Sequence, residues 1–301
     1  MSQLNVESLS RPMRLGIGAA GLALLLGLLV LVARVVYDSG WFQEFLVAYP
    51  GHQDLPVGTG TGLPAWLNWQ HFLNAFFLVM IIKSGWRVRT VTRPTAYWTP
   101  RWAPKGTSKI SLDLWFHLST DVLWLLNGIV FVFTIFATGH WVRIVPTSWD
   151  ILPNAFSVLV QYLSFQWPTE NGWVNYNSLQ VLAYFAIVFI ASPLAALSGA
   201  RMSPAWPKAG ILNKSFPMEV ARAVHFPVML FFVAFVVSHV ALVLATGARR
   251  NLNHMFASQS SESWVGFWIF LGALLLMAGA WWAARPLLLR PLAALTGKVG
   301  R

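Results

Sequence analysis

Six apolar runs constrain this chain more than any other feature, because each approaches the roughly 20 residues a helix needs to cross a bilayer. They cover about residues 15–36, 65–86, 114–138, 178–197 and 264–284, with a fifth run ending near Thr246 that holds His225 and His239. Charged residues make up only 10% of the chain, where soluble domains carry about 25%. The runs lack the alternating pattern of barrel strands, so they read as helices whose backbone polar groups are satisfied internally. The expected fold is all-α and integral to the membrane, with about six transmembrane helices.

Between the spans, polarity sets the organisation. The first run follows Arg11 and Arg14, exceeds the 7–15 residues of a signal core and is closed by no small-x-small cleavage site. It is expected to be a retained helix. Residues 38–64, rich in Gly and Pro, read as a polar loop. The apolar part of 139–177, about 151–167, reads as a short interfacial helix anchored by Trp149 and Trp167.

Basic residues gather before span one, between spans two and three (Arg87, Arg89, Arg93, Arg101, Lys105, Lys109), between spans four and five (Arg201, Lys208, Lys214, Arg222), and after span six (Arg285, Arg290, Lys298, Arg301). All these segments fall on one side, which the positive-inside rule makes cytoplasmic, along with both termini. Arg249 and Arg250 are exceptions on the other side. The net charge of +11 therefore reflects topology and headgroup contact, and no nucleic-acid partner is implied. The chain has no cysteine, which excludes disulfides, thiolate catalysis and an iron–sulfur cluster held by its own cysteines.

Four of the seven histidines lie within spans, where an imidazole costs free energy unless it is used. His225 and His239 are 14 positions apart, which returns them to nearly the same helix face about 21 Å apart. Span polarity converts position into depth. His71, early on an inward-running span, lies near the outer side, and His117, early on an outward-running one, near the inner side. His71 thus matches His239, and His117 matches His225. Facing imidazoles are what a six-coordinate haem iron takes as axial ligands, and two such sites at different depths make an electron path across the bilayer. His52 and His254 fall in loops and read as solvated surface. His140 reads as interfacial packing, with a quinone or propionate contact as its functional alternative.

Other polar groups are secondary. Arg222 lies three residues before His225 and is the cation best placed for a haem propionate, with Lys83, Arg87 and Arg89 as further candidates. Asp121, one turn beyond His117, is a candidate to accept the ring N–H or to relay protons. Asp113 reads as a helix cap or headgroup ion pair. Asn74 and Asn127 are lesser polar candidates inside spans. Gly58-Thr59-Gly60-Thr61-Gly62 lacks the strand and helix a phosphate loop requires and reads as loop.

One helix with two histidines 14 apart, two earlier helices with one each, and the stretches Asn68-Trp69-Gln70-His71-Phe72-Leu73-Asn74 and Ala223-Val224-His225-Phe226-Pro227 together resemble a known pattern. It is that of the di-haem cytochrome b subunits of formate dehydrogenases, nickel–iron hydrogenases and thiosulfate reductases, within the bacterial cytochrome b561 superfamily. The resemblance covers roughly residues 65–247. It implies a four-helix bundle holding two haem b groups, with His71 paired to His239 and His117 to His225. It implies no catalytic residue here, and electron exchange with menaquinone or ubiquinone. It further implies a soluble or peripheral partner subunit of iron–sulfur, molybdenum or nickel–iron type, and residence in a bacterial inner membrane. The expected organisation is an extra helix and loop over 1–64, the core over 65–247, and an extra helix with a basic tail over 248–301. The spans added at both ends depart from the family pattern. The competing reading is a metal or proton transporter using the membrane histidines and Asp121.

Overall fold

The computed structural model describes residues 10–102, 104, 109–168, 171–207 and 209–300, so the expected loop and tail cations Lys105, Lys208 and Arg301 lie outside the described residues. Among the described residues, six helices are long and apolar enough to span a membrane. The chain divides into two compact units. One comprises the described residues within 1–57, 142–171 and 175–184, and the other those within 58–141, 172–174 and 185–301.

The first unit contains α1 (Arg11–Tyr37), α2 (Gly40–Ala48) and α5 (Ile151–Leu163). Pro12 suits the first turn of α1, where its missing N–H has no helical partner in any case. Nearly every α1 side chain is exposed, as expected of a surface whose solvent is lipid. The segment read as a polar loop holds α2 instead. Trp41, Phe42 and Phe45 form an aromatic cluster there, and Phe42, fully buried, packs edge-on to Phe156 of α5. α5 is the short apolar helix expected from the sequence. Asn154 Oδ1 accepts from Gly51 N at 2.8 Å, and Ser157 donates to the Tyr49 carbonyl at 2.7 Å. Buried Arg143, in a 3-10 turn over His140–Arg143, lies above the Tyr176 ring. Burial pushes the Tyr176 phenol up, and the Arg143 charge opposes that.

The second unit is built on α3 (Ala65–Thr90), α4 (Leu112–Ala137), α7 (Ser192–Met202) and α9 (Met218–Ala245). α3 packs on α4, and α7 on α9. Ser111 caps α4 by accepting from Leu114 N at 3.1 Å, with Asp113 in the positive first turn. The fourth span is not a uniform helix. It runs as α6 (Ser178–Phe185), a π-helical stretch Ala186–Ala191, then α7. Pro193 has no N–H for the ladder, and just before it the Ile187 carbonyl accepts both the Ser192 backbone N–H and Ser192 Oγ, the latter at 2.7 Å.

α8 (Ile211–Ser215) precedes α9, and α10 (Ala248–Ala257) and α11 (Val265–Ala283) follow it. Asn253 Oδ1 accepts from Gly266 N at 2.8 Å, and a Cβ at Gly266 would meet Asn253 N at 2.4 Å. Only glycine permits that approach of α10 to α11. α11 also packs on α3.

At the basic end, β1 (Tyr97–Pro100) pairs antiparallel with β2 (Ile110–Ser111) and with β3 (Gly297–Gly300). α12 (Pro286–Ala294) covers this sheet. Trp98 is buried with Ala96, Leu112, Leu289 and Ala293, and donates to the Ala293 carbonyl at 3.0 Å. A Cβ at Gly297 would meet Trp98 Nε1 at 2.3 Å, so the strand lies directly on the indole.

Candidate haem sites in the helical bundle

All four membrane histidines belong to the second unit, and they meet in the pairs that depth predicts. The His71 and His239 ring centroids lie 6.2 Å apart at 57°, and those of His117 and His225 lie 6.3 Å apart at 83°. Metal–imidazole bonds of about 2 Å, with each nitrogen roughly 1 Å from its ring centre, place two rings on one metal with centroids about 6 Å apart. Each pair therefore fits the axial positions of one six-coordinate iron. Among the described residues no group of three or more His, Asp or Glu side chains converges to hold a bare metal ion.

The pairs differ in their surroundings. His239 stacks on Phe235, one helical turn earlier, with centroids 5.4 Å apart and planes at 8°. His71 meets the edge of Phe256 from α10 at 6.0 Å, and its Nδ1 is buried with no hydrogen-bond partner among the described residues. At the other pair, both Nδ1 atoms meet serines. Ser84 Oγ of α3 lies 2.9 Å from His117 Nδ1, and Ser198 Oγ of α7 lies 3.0 Å from His225 Nδ1. The residue after each serine is a glycine packed on the same ring. A Cβ would lie 3.1 Å from His117 Cε1 at Gly85 and 3.3 Å from His225 Cε1 at Gly199.

The sequence reading named neither serine. The available signal was the dipeptide Ser-Gly near the basic end of each span that precedes such a histidine, Ser84-Gly85 and Ser198-Gly199. The fourth span, which carries no histidine, thus contributes a side chain to the site.

The remaining candidates take varied places. Asp121 lies near His117, but its Oδ2 is 3.6 Å from Nε2, the nitrogen opposite the one that meets Ser84. Asp113 pairs with Arg87, Nε to Oδ1 2.6 Å. Lys83 donates to the Trp281 carbonyl and lies over that ring. Arg89 sits 3.8 Å over the Phe226 ring, beside His225, and Arg222 is exposed. His140 meets Trp66 edge-on at 5.4 Å and bonds the Thr138 hydroxyl at 3.1 Å. His52 is exposed as expected. His254 is a correction. It is buried at 3% exposure against Trp173, because α10 is folded onto its neighbours and is not a solvated loop.

The profile of the family described as prokaryotic cytochrome b561 matches residues 62–258, which include all four histidines and both Ser-Gly pairs. The "Putative protein-methionine-sulfoxide reductase subunit YedZ1" of Azospira oryzae is 31% identical over 185 residues, covering 60% of this chain and 88% of that protein. No solved structure matches the chain. With six apolar helices and a family match over more than half its length, the chain is a multi-pass membrane protein that belongs to the prokaryotic cytochrome b561 family, whose members bind haem b and carry electrons.

Proposed function

We propose that this protein is a di-haem b-type cytochrome that passes electrons between a soluble partner redox enzyme and the quinone pool. The observation that carries the reading is the repeated centroid spacing, 6.2 and 6.3 Å, of two histidine pairs on shared helices. His71 and His239 hold one haem and His117 and His225 the other, within a core over residues 65–247. With the two histidines of α9 14 positions apart, the sites are about 21 Å apart along that helix. The haems would supply reversible one-electron ferric–ferrous exchange.

Each histidine pair would hold its haem through both imidazoles, which would leave the substrate's chemistry to another protein. The chain's own work is to fix spacing and potential and to exclude competing chemistry. Arg89 and Arg222 stand at the His225 end, where a propionate needs a cation, and Arg222 is the one without a ring beneath it. Asp121 and His140 are the candidates for proton exchange with a quinone, menaquinone or ubiquinone. The substrate chemistry belongs to the partner. The Azospira relative is named as a subunit of a reductase, which favours electrons leaving the quinone pool toward the partner. The likeness to formate dehydrogenase, hydrogenase and thiosulfate reductase subunits supports the same general arrangement, with a metalloenzyme partner.

Substitution tests the pairing. His117→Ala and His225→Ala are expected to remove the same spectral component, and His71→Ala and His239→Ala the other. Loss of one common component in His71→Ala and His225→Ala would overturn it.

A further inference from the structure

The helices that flank the His117–His225 site carry a matched feature, one copy behind each ring. Each ring is backed by the serine of a Ser-Gly pair on the helix beside it, and both serines are 1% exposed. Ser84 Oγ also lies 2.8 Å from the Met80 carbonyl, and Ser198 Oγ 2.5 Å from the Leu194 carbonyl. A hydroxyl has one proton, and a carbonyl can only accept. A ring that ligates iron through Nε2 carries its proton on Nδ1, so in the haem-bound protein each ring donates from Nδ1 to the serine oxygen, and the serine proton goes to the helix carbonyl. The carbonyls of Ile81 and Ala195 face the same rings as further acceptors.

Shape reinforces this choice. A Cβ at Gly85 or Gly199 would press on Cε1, so the glycine lets the ring edge approach the helix close enough for the serine bond to form. The same device occurs on two helices, α3 and α7, each packed on the helix that carries the histidine.

We infer that Ser84 and Ser198 are positioning residues that fix the His117 and His225 tautomer and hold down the potential of the haem between them, selectively relative to the other haem. An acceptor on Nδ1–H raises the basicity of the ligating nitrogen, and a more basic ligand favours the ferric state. The inference rests on the di-haem reading above.

The test is a spectroelectrochemical titration of the purified holoprotein and its Ser84→Ala, Ser198→Ala, Ser84→Thr and Ser198→Thr variants. The component that His117→Ala removes is expected to move to more positive potential in each alanine variant. The backbone carbonyls retain part of the effect, so about a threefold shift toward the reduced form is expected, roughly 30 mV at 59 mV per tenfold. The threonine variants, which keep the hydroxyl, should return to the wild-type value, and the other component should not move. Loss of that component in an alanine variant with its retention in the threonine variant is the same result in stronger form. An unmoved component, equal movement of both components, or failure of threonine to restore the value overturns the inference. Wild-type protein without haem b sinks the functional reading itself, and the two failures are thereby distinct.

Discussion

Ser84 and Gly85 show how small a residue can be and still define a site. At Gly85→Ala the new Cβ falls 3.1 Å from His117 Cε1, and at Gly199→Ala 3.3 Å from His225 Cε1, so the ring must retreat by a few tenths of an ångström. Each substitution is expected to perturb the spectrum of the haem between His117 and His225 and leave the other unchanged. Gly128→Ala on α4, with nothing within 4 Å of its Cβ, is the neutral control. Low-temperature difference spectra separate the cases. The same scale explains a limit of sequence reading. Helical spacing places Asp121 beside His117, but which nitrogen a carboxylate meets depends on the ring rotamer, and the structure puts it at Nε2. Serine and glycine near a helix end are too common to mark a site before the partner helix is known. His254 was misread for a related reason, since its burial arises from tertiary packing of α10.

At the scale of elements, the π-helical stretch Ala186–Ala191 amounts to one extra residue in an otherwise α-helical span. Deleting Val188 should restore a regular helix, keep Ser192–Met202 in register with α9, and leave both haems bound. Deleting Val233, between His225 and His239, should rotate one histidine about 100° from the other and lose at least one haem. Haem content of the purified variants distinguishes them. α10 tests a second element. Its Phe256 covers His71, and it is held against α11 at Gly266. Gly266→Ala pushes a Cβ into the Asn253 backbone, so α10 must move away and admit water to the His71–His239 site. The potential of that haem alone should fall, because water stabilises the ferric charge.

The whole molecule was legible in its spans and obscure in its connections. Six spans follow from bilayer length and apolar composition, and the ends of the helices differ from the sequence limits by only a few residues. Alternating span direction turns sequence position into depth, and the rings expected at equal depth, His71 with His239 and His117 with His225, are neighbours in the structure. The sheet was not legible. β2 is two residues long, and β1 joins β3 from almost 200 positions away, beyond the reach of any local pattern. The sheet does bring the loop after span two together with the tail after span six, the same side to which charge assigns both. Trp98→Ala should remove that junction, at a cost of about 3–5 kcal/mol in detergent-solubilised unfolding. The chain lacks cysteine, so sidedness is directly testable by labelling single substitutions. Arg93→Cys and Lys298→Cys are expected to react from the cytoplasmic side, and Glu262→Cys from the opposite side. The most direct test of the account is the dithionite-reduced minus oxidised visible spectrum of the purified chain, with haem counted per polypeptide. Two bis-imidazole b-type haems per chain are predicted, resolving into two potentials. A colourless protein after expression with ample haem, or a spectrum of five-coordinate iron, would contradict it.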